Sequence, residues 1–195
     1  MATAYVRSPF GSSACISGKT QYCCGACQGD DCNGTCGTHG VCAGGATGSA
    51  VDVAYISGSY DVYLRVNIPT VKSIKTFVSL TCCGGCVDKF RRRIKVELYQ
   101  CPDAVGLIGT VFYAHIESPS VGDNTIYNLG SSSKKLGTAA VSPPACWCIS
   151  GPHSHMERTG GSTLAPCCAV GVTSSTNIYS WTFTPIICPN SPSNK

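Results

Sequence analysis

Tyr60-Asp61-Val62-Tyr63-Leu64-Arg65-Val66-Asn67-Ile68 decides the fold class of this chain. Tyr60, Val62, Leu64, Val66 and Ile68 alternate with Asp61, Tyr63, Arg65 and Asn67, and Pro69 closes the run. Strand side chains point to opposite faces with a period of two, so the pattern predicts a strand with one buried face. The same period returns downstream. Residues 75–80 (KTFVSL) predict a second strand, and Ile94, Val96 and Leu98 point inward from a third. Leu107 to Glu117 predicts another, with Val111, Tyr113 and His115 on one face and Phe112, Ala114 and Ile116 on the other. Asn177 to Ile187 predicts a last strand carrying Tyr179, Trp181 and Phe183 on one side. No stretch between 50 and 187 has helical periodicity, so the expected class is all-β, with an antiparallel sheet core.

Composition agrees with that class. Of 195 residues, 22 are Gly, 11 are Pro and 12% are charged, which describes a loop-rich β protein with enough apolar content (43%) to bury a core. A net charge of +4 is too mild to argue for nucleic acid as a partner. No apolar run approaches the roughly 18 residues that span a bilayer, so no transmembrane segment is expected. The start, Met1-Ala-Thr-Ala-Tyr-Val-Arg-Ser8, lacks the apolar core of a signal peptide.

Sixteen cysteines punctuate the chain. Seven come early, at Cys15, Cys23, Cys24, Cys27, Cys32, Cys36 and Cys42. The other nine are Cys82, Cys83, Cys86, Cys101, Cys146, Cys148, Cys167, Cys168 and Cys188. An even number at this density points to an oxidising, extracellular or cell-surface location. All sixteen are then candidates for a disulfide framework whose connectivity the sequence leaves open. The alternative, cytosolic metal ligation or redox storage, draws on Cys24-x-x-Cys27 and Cys83-x-x-Cys86, but these pairs lie far apart in the chain. Residues 1–50 combine their seven cysteines with abundant Gly, Ser and Thr, and read as a disulfide-knitted irregular segment. Residues 51–188 form the β domain and 189–195 a tail. Asn33-Gly34-Thr35 is a glycosylation sequon, which suggests an exposed loop at Asn33. Arg91-Arg92-Arg93-Ile94-Lys95 reads as a solvated outer strand face, with an anionic-ligand patch as the alternative.

The candidate chemistry is at Ser150-Gly-Pro-His153-Ser-His155-Met-Glu157-Arg158. His-x-His on a strand puts both imidazoles on one face, where they either share a metal or divide metal binding and proton transfer. A polar pair on a surface strand is the bland alternative.

The order of the surrounding pieces carries a resemblance. Val51-Asp52-Val53, then Tyr113-Ala114-His115, then Val121-Gly122-Asp123, Gly130 and Leu136-Gly137-Thr138 lead on to Ser150-Gly-Pro-His-Ser-His-Met-Glu157. Over roughly residues 32–160 this series resembles the lysostaphin/LytM-type zinc endopeptidases, which cleave peptide cross-links of bacterial cell walls. The cysteine-rich lead-in also resembles the leukocyte cell-derived chemotaxin family of the same fold. The resemblance implies Asp52 and His155 as zinc ligands, and His115 and His153 as catalytic histidines. The family's first zinc ligand, a His four residues before the Asp, corresponds to Gly48, and His39 is the one spare histidine available to replace it.

A catalytic zinc normally takes three protein ligands and a water. The expectation is therefore an extracellular LytM-like domain with a degenerate zinc site. It acts by self-association, as part of a surface layer or filament, or by binding an extracellular glycan or peptide ligand. An active zinc metallo-endopeptidase cutting cell-wall or Gly-rich peptides is the alternative.

Overall fold

The computed structural model describes residues 1–10, 14–18, 50–55, 58–80, 92–141, 153–159, 162–163 and 177–189. Among these the fold is all-β, with antiparallel pairing throughout and one 3-10 turn at Pro102–Ala104. Twelve strands are described: β1 (Ala2–Arg7), β2 (Ala14–Gly18), β3 (Ala50–Tyr55), β4 (Asp61–Arg65), β5 (Ser73–Leu80), β6 (Arg92–Cys101), β7 (Val105–Pro119), β8 (Thr125–Asn128), β9 (Ser133–Ala139), β10 (His153–Thr159), β11 (Ser162–Thr163) and β12 (Asn177–Phe183). The large sheet runs β2-β3-β10-β7-β6-β5-β8, with β9 also paired to the far end of β7 and β4 to β9. A small sheet, β1-β12-β11, packs across it.

The core lies between the two sheets. Val62, Leu64 and Val66 follow the predicted alternation and are buried, as are Ile94, Val96 and Leu98 on β6. The small sheet contributes Ala4 and Val6 from β1 and Ile178, Tyr179 and Trp181 from β12. Two hydrogen bonds stitch the layers: the Tyr179 hydroxyl donates to the Met156 carbonyl (2.8 Å) and Trp181 Nε1 to that of Thr159 (2.8 Å). Each satisfies the polar tip of an aromatic ring whose body fills the core.

Several expectations shift in detail. Within the segment read as irregular, Ala2–Arg7 and Ala14–Gly18 are strands, and β1 joins the core by pairing with β12. The last strand stops at Phe183, and Ile187 beyond it is 95% exposed.

Of the expected disulfide framework, one bridge is described. Cys101 and Cys188 are joined, with Cα atoms 5.3 Å apart and 87 residues of separation. The bridge fastens the segment after β12 to the end of β6. Gln100 reinforces it, donating to the Thr184 carbonyl (3.3 Å) and accepting from the Ile186 amide (2.9 Å). Cys15 is on β2. The other cysteines read as disulfide candidates lie outside the described residues: Cys23, Cys24, Cys27, Cys32, Cys36 and Cys42 in the first segment, Cys82, Cys83 and Cys86 after β5, and Cys146, Cys148, Cys167 and Cys168 on either side of β10 and β11. So do Asn33, His39, Gly48 and the tail beyond Pro189.

Candidate histidine centre

Strand β10 is a central strand between β3 and β7, and it places two of the three histidines among the described residues. Its alternation puts Ser154 and Met156 on the core side and His153, His155 and Glu157 on the opposite, outer side. All five are buried; His153, His155 and Glu157 are 6, 7 and 2% exposed. The pairing register sets Asp52 of β3 directly across from His155, and Ala114 of β7 across on the other side. Positions far apart in the sequence are therefore backbone neighbours.

His115 reaches the same place by a departure from regular pairing. Against β6, Tyr113 pairs with Ile94 and Ile116 with Arg92, so three steps on β7 answer two on β6. This is a β-bulge, and His115 sits within it at φ +63°. The extra residue resets the alternation, so that Tyr113 and Ile116 are both fully buried in the core. The sequence reading, with His115 on the Tyr113 face and Ile116 on the other, is corrected by this bulge. The His115 ring turns instead toward the outer face. It meets His153 edge-on with centroids 4.7 Å apart, and His155 at 5.9 Å. The carbonyl of His115 accepts from the Ala140 amide (2.9 Å), tying the bulge to the end of β9.

Glu157 completes the group. Its Oε1 lies 2.8 Å from His155 Nε2, and both side chains are almost wholly enclosed. Where Nε2 carries the proton it donates to the carboxylate, and the contact fixes the orientation of the His155 ring. The second oxygen, Oε2, has no hydrogen-bond partner among the described residues. A buried carboxylate oxygen left in that state is costly and is a natural place for a proton or a ligand donor. Beneath the cluster, on the core side, burial pushes the Tyr113 phenol well above its ordinary value, so it is a neutral group at physiological pH.

The structure thus brings together His115, His153 and His155, and adds Glu157, to which the sequence reading gave no role. The signal for Glu157 was its position two residues after His155. For a zinc ion the residues fit only in part. Asp52 and His155 are adjacent in register, but the third position is Gly48 in sequence. Among the described residues no group of three or more His, Cys, Asp or Glu side chains is arranged to hold a metal. What the cluster offers is hydrogen bonding: imidazoles and a carboxylate packed within one shell of a sheet face. No protein-family model, curated protein or solved structure matches this chain.

Proposed function

We propose that this chain is an extracellular, disulfide-stapled binding domain. It engages its ligand on the outer face of the large sheet, at a histidine cluster laid out like a LytM-type centre but lacking that family's full ligand set. The observation that carries this reading is the convergence of His115, His153, His155 and Glu157 through the β7 bulge. The bulge holds a non-glycine residue in a left-handed backbone conformation, a type of strain that clusters at functional sites. Gly48, standing where the first zinc ligand of the resembled family would be, weighs toward binding rather than hydrolysis.

The second reading, an active zinc endopeptidase, is favoured by the register of Asp52 with His155 and by the closeness of His115 to His153. In it Asp52, His155 and a third donor such as His39 would hold the metal. His115 and His153 would move protons at the reacting water and the oxyanion.

Elemental mass spectrometry on protein purified without chelators, paired with assays on Gly-rich and cell-wall peptides, separates the two. The binding reading expects well under one zinc per folded chain and no hydrolysis. One tightly held zinc with chelator-sensitive cleavage would overturn it and establish the peptidase. Sedimentation velocity across a concentration series reads whether the ligand is a second copy of the chain.

A further inference from the structure

An open cavity of about 180 Å³ lies at the far end of β6 from the histidines. Gln100 lines it, whereas Arg92 at the other end of the strand pairs beside the His115 bulge, so about 25 Å of strand separates the two places. The walls are apolar: Pro69, Phe183, Pro185 and Ile186. They are held in place by bonds within the chain. Phe183 pairs with Ala2 in the small sheet. The segment carrying Pro185 and Ile186 is clamped by Gln100 and by the Cys101–Cys188 bridge. Gly106 makes room for that segment, since a Cβ there would fall 2.6 Å from Ile186 Cδ1. On the loop before β5, the Lys72 amide donates to the Tyr99 carbonyl (2.9 Å) and the Lys72 carbonyl accepts from the Leu129 amide (2.8 Å).

Two polar residues of the lining have capacity to spare. Lys72 is the one charged residue among them, and it makes no ion pair with any described residue. The Thr70 hydroxyl accepts from Asn67 Nδ2 (3.0 Å), which leaves its own hydrogen to donate.

We propose that this cavity binds a small monocarboxylate with a compact apolar body, of the size of one aromatic ring. Volume sets the body. An apolar cavity of about 150 Å³ takes benzene, so 180 Å³ has room for one ring with its carboxyl group toward solvent. Charge sets the head. One ammonium balances one carboxylate, and a hydroxyl two residues away along the chain can serve the second oxygen. A phosphate monoester would bring nearly two negative charges against a single cation. Preformed walls keep the ordering cost of binding low. The site goes beyond the proposed function and does not depend on the histidine cluster.

The test titrates the intact, disulfide-bonded chain with benzoate, benzamide, benzylamine and phenyl phosphate, read by backbone amide shifts in nuclear magnetic resonance. Benzoate is expected to saturate with a Kd of about 1 mM or below. It should bind about fivefold or more tighter than benzamide, with benzylamine weaker still. The shifts should gather at Lys72, Gln100 and Ile186. Lys72→Gln should bring benzoate to the level of benzamide, and Lys72→Arg should keep most of the preference. No saturation by about 10 mM, equal affinity for benzoate and benzamide, or a preference that survives Lys72→Gln would overturn the proposal. So would shifts confined to β10, which would put the anion at the histidines. Tighter binding of phenyl phosphate would overturn the choice of a carboxylate.

Discussion

The bulge at His115 makes a prediction about stability whose sign is unusual for a strand. In a regular strand, Gly is worse than Ala by roughly 0.5–1 kcal/mol, because it loses more backbone freedom on folding. At the φ of +63° that His115 adopts, any residue with a Cβ pays about 1–2 kcal/mol, while Gly pays almost nothing there. Subtracting the roughly 0.4–1 kcal/mol by which Gly favours the unfolded chain leaves His115→Gly more stable than His115→Ala by about 0.5–1 kcal/mol.

Both variants lose the imidazole, so the comparison isolates the backbone. Urea denaturation followed by tryptophan fluorescence reads it as a midpoint about 0.2–0.5 M higher for the Gly variant at equal slope. A Gly midpoint at or below that of Ala would mean that the left-handed conformation is not present in solution, and the account of how His115 leaves the core would fail with it. The bulge argument also predicts that deleting His115 is tolerated. Removing one residue between Tyr113 and Ile116 restores the two-step alternation and keeps both side chains in the core.

Other consequences follow from separate parts of the fold. A Cβ at Gly109 would fall 2.3 Å from Trp181 Nε1, which donates to the Thr159 carbonyl, so Gly109→Ala should cost about 2–4 kcal/mol from overpacking and a strained indole bond. Calorimetry should show a melting temperature lower by about 5–15 °C, and a change under about 2 °C would contradict the packing. Burial and the bond to Glu97 push the Tyr99 phenol up to about 12, so its phenolate absorbance should titrate near there, and Glu97→Gln should bring the midpoint down toward 10. Because the folded value is raised, the stability contributed by neutral Tyr99 is complete below about pH 10 and lost as pH rises through 12. Replacing Cys101 and Cys188 together by Ser should lose at most about 4.6 kcal/mol of loop-closure stabilisation and make the segment after Phe183 the first site of limited proteolysis. Asn67 accepts from the Tyr5 amide and donates to the Thr3 carbonyl, taking the place of a neighbouring strand along β1. Asn67→Ala should therefore raise self-association in sedimentation velocity.

What could be read from the residues was whatever a local period of two reveals. Strands β4 and β6 were legible because each has one buried and one wetter face, so Val62, Leu64, Ile94 and Val96 stand out against their neighbours. His-x-His was legible for the same reason, and β10 does present both imidazoles on one side. Strand β1 was missed because only Ala4 and Val6 mark its buried face. The bulge was illegible: Tyr113-Ala-His-Ile116 reads as plain alternation, with no Gly to announce a positive φ. It is set by the pairing of β7 with β6 and β9, which no local pattern contains. The pairing of Cys101 with Cys188 was equally out of reach, since sixteen cysteines give no local clue to which two meet. The surroundings of the basic run at 92–95 were hidden in the same way, since only register sets Phe77 and Phe112 on either side of Lys95.

The way the sheets are bounded bears on how a partner can approach. Along β1 the amide of Tyr5 and the carbonyl of Thr3 are satisfied by Asn67, and Val6 bridges to Val66. On β4 the amide of Tyr63 is taken by the Pro9 carbonyl. A second copy adding a strand at either place would first have to break bonds already made, which weakens the case for a filament joined through these edges.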